Sequence, residues 1–116
     1  MPQYGLEIDE REAKEIAGAG AKVFVFWNSQ HDLEYVEQVL GARPGNVEGM
    51  DIEAARRIVM GGEAASEVRK IGSRFDGAVI VCPHGNTSRR FAEALSAAGI
   101  KSYSLRRGLE GLRGRA

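Results

Sequence analysis

Apolar and polar positions change period several times along the chain, and each change marks an element. Asp9 followed three residues later by Glu12 has the form of a capping box, and Ala13, Ile16 and Ala17 then recur at helical spacing until Gly18 or Gly20. Lys22 to Trp27 is β-branched and aromatic and unbroken in its apolar stretch, which predicts a strand covered on both faces. A second helix follows, capped by Ser29, with Leu33, Val36, Val39 and Leu40 on one side and Gly41 as its stop. Arg43–Pro44–Gly45–Asn46 is turn chemistry. Further helices are expected from Asp51 through Ala54, Ala55 and Ile58, broken by Gly61–Gly62, and from about Glu63 to Ile71. Ala78–Val79–Ile80–Val81 is the clearest strand of the chain. After a polar loop, Arg89 to Ala98 is predicted as a helix with Phe91, Ala94, Leu95 and Ala98 inward and Gly99 just past its end. Ile100 to Leu105 then predicts a short strand, and Leu109 and Leu112 a last helical turn.

Strands alternating with helices predict a single α/β domain with a mainly parallel central sheet and helices on both of its faces. The length of 116 residues suits one core, and the 43% apolar and 28% charged fractions are those of a folded chain. No apolar run is long enough to cross a bilayer, and no secretory pattern opens the sequence. One cysteine excludes an internal disulfide and a four-cysteine zinc site, so a reducing, cytoplasmic setting is expected.

Net charge is zero but unevenly placed. Residues 1–57 hold six Lys or Arg against eleven Asp or Glu, and residues 58–116 hold ten against five. The basic half contains the cysteine, which favours an anionic ligand over nucleic acid, because no basic run is interleaved with aromatics. His31, Asp32 and Glu34 lack a second histidine cluster and read as one face of a capped helix, not as a metal site.

The chemistry concentrates in Val81–Cys82–Pro83–His84–Gly85–Asn86–Thr87–Ser88–Arg89. A cysteine ends a buried strand, and a glycine-containing polar turn leads straight into a helix. Ligands of open α/β sheets gather at the carboxyl ends of the strands. Backbone N–H groups of such a turn, with the helix N-terminus behind them, favour a thiolate over a thiol and would also hold a bound anion or a persulfide sulfur. Gly85 permits the tight turn, Thr87 and Ser88 offer hydroxyls, and His84, Arg89 and Arg90 offer positive charge.

The run Cys82–Pro83–His84–Gly85–Asn86–Thr87–Ser88 resembles the active-site loop of the rhodanese-like family, closest to the small single-domain thiosulfate sulfurtransferases. The resemblance continues through Ala98–Gly99 and Ile100–Leu105 to Arg107–Gly108–Leu109–Glu110–Gly111–Leu112, where the family usually carries a double glycine and a terminal tryptophan. Upstream, Gly41–Ala42–Arg43–Pro44–Gly45 is similar to the family's Gly-His-Ile-Pro-Gly-Ala segment. The resemblance implies a rhodanese-like fold and a sulfurtransferase reaction. Cys82 would take sulfane sulfur from a small anionic donor such as thiosulfate and hand it to an external thiol or sulfur carrier. His84, Gly85, Asn86, Thr87, Ser88 and Arg89 would line the substrate. No metal or organic cofactor and no nucleic-acid or membrane partner is implied, and a monomer is the default.

Two alternatives stand beside this reading, one from departures from the family pattern and one from a related fold with the same anion-binding logic. The family's Asp-x-Arg stretch is replaced by Phe26–Trp27–Asn28, and the position five after the cysteine is Thr87 where arginine is common. A catalytically weak or inactive binding or regulatory module is the first alternative. The second is a cysteine phosphatase or arsenate reductase type of enzyme, which places arginine six residues after the cysteine. Here that position is Ser88, with arginine one later.

Overall fold

A computed structural model describes residues 5–26, 30–43, 45–49 and 72–113. In chain order these form β1 (Glu7–Ile8), α1 (Glu10–Gly18), β2 (Val23–Val25), α2 (Gln30–Leu40), β3 (Val47–Gly49), a 3-10 turn (Ser73–Phe75), β4 (Val79–Val81), α3 (Asn86–Ala97), β5 (Tyr103–Leu105) and α4 (Gly108–Arg113). The expected helices over 51–58 and 63–71, the Ser29 cap and Trp27 lie outside the described residues.

The five strands make one sheet in the order β1-β5-β4-β2-β3, and every pairing is parallel. Alternation along the strands divides the core in two. Val23, Val25, Val79, Val81 and Leu105 face α1, α2 and α4, joining Ala13, Ala17, Val36, Leu40, Leu109 and Leu112. Phe24, Phe26, Ile80 and Cys82 face the other way, with Phe75, Phe91, Leu95, Ala98 and Ile100. Helices therefore cover both faces, and that is why the central strands are apolar without interruption. On the second face Phe75 and Phe91 meet edge to face with ring centroids 5.0 Å apart, and Phe91 meets Phe26 at the same separation.

The Asp9 capping box forms in both directions, Glu12 N–H donating to the Asp9 carboxylate at 2.8 Å and Asp9 N–H to that of Glu12 at 3.1 Å. Gly41 ends α2 with φ 66°, and the turn after it closes through Asn46 N–H to the Arg43 carbonyl at 3.0 Å. Two boundaries differ from expectation. The third helix begins at Asn86, not Arg89, because Gly85 takes a left-handed φ of 88° and its carbonyl accepts from Arg89 N–H at 3.3 Å. The last strand begins at Tyr103, not Ile100, because Gly99 and Ile100 are used to end α3. Gly99 N–H donates to Ser96 and Ile100 N–H to Leu95, the paired bonds of a Schellman ending.

Two short strands carry too weak a pattern to be expected. β1 has two residues, and β3 reads Val-Glu-Gly along a half-buried edge.

The topology positions the site. The chain leaves β2 through α2 on one face toward β3, and leaves β4 through α3 on the opposite face toward β5. β2 and β4 are neighbours, so their carboxyl ends flank the point where the winding reverses, the usual place for a ligand in such sheets. Cys82 is the residue immediately after β4.

Candidate active site

Cys82 is 1% exposed, and its side chain lies on the α3 side of the sheet. Its Sγ accepts the Gly85 N–H at 3.0 Å and the Ser88 N–H at 3.3 Å. The Ser88 hydroxyl lies 3.3 Å from the same sulfur. Three polar groups thus converge on one sulfur at the start of a twelve-residue helix, whose aligned peptides add positive potential there. Asn86 and Thr87 are the first two helical residues, and a helix supplies no acceptor one turn back for N–H groups at those positions. Their N–H groups would be available to a sulfur or oxygen added beyond Sγ.

The loop keeps this shape through α4. Leu109 N–H donates to the Cys82 carbonyl at 2.9 Å and Glu110 N–H to the Pro83 carbonyl at 3.0 Å. Two glycines make the approach possible. A methyl group on Gly85 would lie 2.7 Å from Arg107 N, and one on Gly108 would lie 1.8 Å from the Cys82 carbonyl oxygen. Arg107, whose backbone lies against Gly85 and which precedes Gly108, holds φ 64°, the left-handed region that costs a side chain-bearing residue energy. Gly108 is indispensable to the contact, and Arg107 occupies a conformation that glycine would adopt freely.

The other expected site residues are distributed unevenly. Gly85 and Ser88 meet Cys82 directly. Asn86 is exposed and Thr87 half-buried in the first helical turn. His84 turns outward, its Nδ1 2.5 Å from Glu110 Oε2 with both side chains largely exposed, so the pair ties the loop to α4. Arg89 points along its helix to Glu93, Nε to Oε1 3.7 Å. Neither side chain is among the hydrogen-bond partners of the sulfur.

One participant was not legible in the sequence. Ser104, in the middle of β5, is fully buried, and its hydroxyl lies 2.7 Å from that of Ser88. A lone serine between Tyr103 and Leu105 reads as the outward position of an alternating strand. With both faces covered there is no outward side, and the register that pairs Ser104 with Ile80 sets it beside the strand bearing Cys82.

Among the described residues no group of three or more His, Cys, Asp or Glu side chains is arranged to hold a metal ion, and no helix is long and apolar enough to cross a membrane. Fold and site together define a parallel α/β protein with a backbone-cradled thiol at the switch point of its sheet. No protein-family model matches the chain, and no curated protein or solved structure gives a significant match.

Proposed function

We propose that this chain is a sulfurtransferase of the rhodanese-like kind, with Cys82 as its nucleophile. The observation that carries the reading is the pair of backbone N–H groups, from Gly85 and Ser88, directed at Cys82 Sγ where α3 begins. The Cys82 thiolate attacks the outer sulfur of a donor such as thiosulfate, forming a sulfur–sulfur bond. The donor's own sulfur–sulfur bond breaks, and its electron pair leaves with sulfite. The resulting persulfide anion extends past Sγ toward the N–H groups of Asn86 and Thr87. A second nucleophile then takes the terminal sulfur and returns the thiolate. Cys82 is the single cysteine of the sequence, so this nucleophile comes from outside the chain as a small thiol, a sulfur carrier or, in the test tube, cyanide. Such a thiol stays reduced in a cytoplasmic setting. The chemistry requires neither metal nor organic cofactor.

The near-complete burial of Cys82 favours one second reading, a domain that keeps the loop to bind a partner and transfers no sulfur. Mass spectrometry separates the two. Incubation with thiosulfate should add one sulfur atom, about 32 Da, to the intact chain; cyanide should remove it as thiocyanate, and Cys82→Ser should show neither event. Absence of the adduct with thiosulfate and with other sulfane donors, in a folded protein, supports the binding module. Phosphate-ester hydrolysis lost in both Cys82→Ala and Arg89→Ala would instead establish the phosphatase-like reading. The Arg89 guanidinium in its present position serves Glu93.

A further inference from the structure

We infer that Ser104 is a positioning residue for Cys82, acting through Ser88 to stabilise the thiolate; this rests on the reading of Cys82 as a nucleophile. The argument is a count of protons. The Ser88 hydroxyl has one proton and three neighbours: the Gly85 carbonyl at 3.3 Å, Cys82 Sγ at 3.3 Å and the Ser104 hydroxyl at 2.7 Å. With Cys82 as a thiol, S–H donates to Ser88, and Ser88 donates to the Gly85 carbonyl. With Cys82 as a thiolate, the sulfur has no proton to give and needs one more donor.

Ser88 supplies that donor by turning its proton from Gly85 to Sγ. The Gly85 carbonyl is not left bare, because it also accepts Arg89 N–H at 3.3 Å. In both states the single Ser88 proton is spent elsewhere, on the Gly85 carbonyl or on sulfur, so the 2.7 Å contact to Ser104 runs with Ser104 donating throughout, and that donation counts for more when Ser88 in turn donates to a charged sulfur. Donation into Ser88 polarises its hydroxyl and strengthens the bond it gives to sulfur. All three side chains are 1% exposed or less, so water does not compete for these bonds. Ser104 is not among the hydrogen-bond partners of the sulfur; its effect passes through Ser88.

The experiment compares the wild type, Ser104→Ala, Ser88→Ala and the double variant at one neutral pH. The readouts are the ultraviolet absorbance of the thiolate and the rate of Cys82 alkylation by iodoacetamide, with thermal melting as a control for folding. Ser104→Ala should lower the thiolate signal and slow alkylation about fivefold, the equivalent of one ordinary hydrogen bond. In the Ser88→Ala background the same substitution should change nothing further, since the path to sulfur is already cut. An unchanged thiolate signal in Ser104→Ala, an equal loss in both backgrounds, or a wild type with no thiolate signal would each overturn the assignment. Neither readout involves sulfur transfer. A chain that shows this coupling yet forms no persulfide would retain the Ser104 role and lose the proposed function.

Discussion

Gly108 lies so close to Cys82 that a single methyl group on it would sit 1.8 Å from the Cys82 carbonyl oxygen. The two residues are far apart in sequence and are brought together by β5 returning beside β4. The contact lets Leu109 N–H reach that carbonyl and so holds the loop from below while α3 holds the sulfur from above.

Gly108→Ala is therefore expected to cost about 3 kcal/mol or more, because a backbone atom cannot be moved aside as a side chain can. The melting temperature should fall by roughly 10 °C or more. Gly41→Ala is the control. Its φ of 66° is similar to the 56° of Gly108, but nothing lies within 4 Å of an added methyl group. That variant should lose only about 1 kcal/mol, the cost of the left-handed backbone alone. Equal losses in the two variants would show that the close approach to Cys82 contributes nothing.

Arg107→Gly is expected to stabilise the protein. A left-handed φ of 64° costs an L-residue roughly 1 kcal/mol, part of which glycine gives back through its greater freedom when unfolded. A net gain of about 0.5 kcal/mol, or a rise of roughly 2–4 °C on melting, is the expected outcome. A clear fall would mean that the arginine side chain makes a stabilising contact that outweighs its backbone strain.

Ser88→Ala should slow persulfide formation about tenfold without abolishing it, because the Gly85 and Ser88 N–H groups still reach the sulfur. It should also destabilise the fold by about 1–3 kcal/mol, since Ser104 is left buried without the hydroxyl it meets. Single-turnover mass spectrometry and denaturant titration measure the two effects separately. Complete loss of the adduct in a stable variant would make the hydroxyl, not the backbone, the essential donor.

Phe91→Ala should cost about 3–5 kcal/mol, as expected for emptying an aromatic site with no exposure. Phe91 contacts both Phe26 and Phe75 edge to face, so Phe75→Ala and Phe91→Ala should not add. A double-mutant cycle should return a coupling of roughly 0.5–1.5 kcal/mol. Additive losses would indicate that the ring contacts carry no energy beyond the area they bury.

By itself the sequence determined what depends on neighbours along the chain. The Asp9–Glu12 capping box, the glycine ends of α2 and α3, the apolar cores of β2 and β4, and the cysteine at a strand end were all legible, because each is set by local hydrogen bonding or by a short period of side chains. The parallel sheet followed from their alternation. Tertiary structure decided the rest. The strands β1 and β3 exist because a neighbouring strand offers its backbone, not because their own residues demand extension. Asn86 to Ser88 became helix where a loop was expected, because Gly85 takes the left-handed cap conformation and its carbonyl already accepts the Arg89 N–H. His84 and Arg89 are the side chains that a sequence assigns to an anion, yet each found a carboxylate at the surface instead. Ser104 carries no signal of its own, since a serine gains its meaning only when register and burial place another hydroxyl beside it in the absence of water.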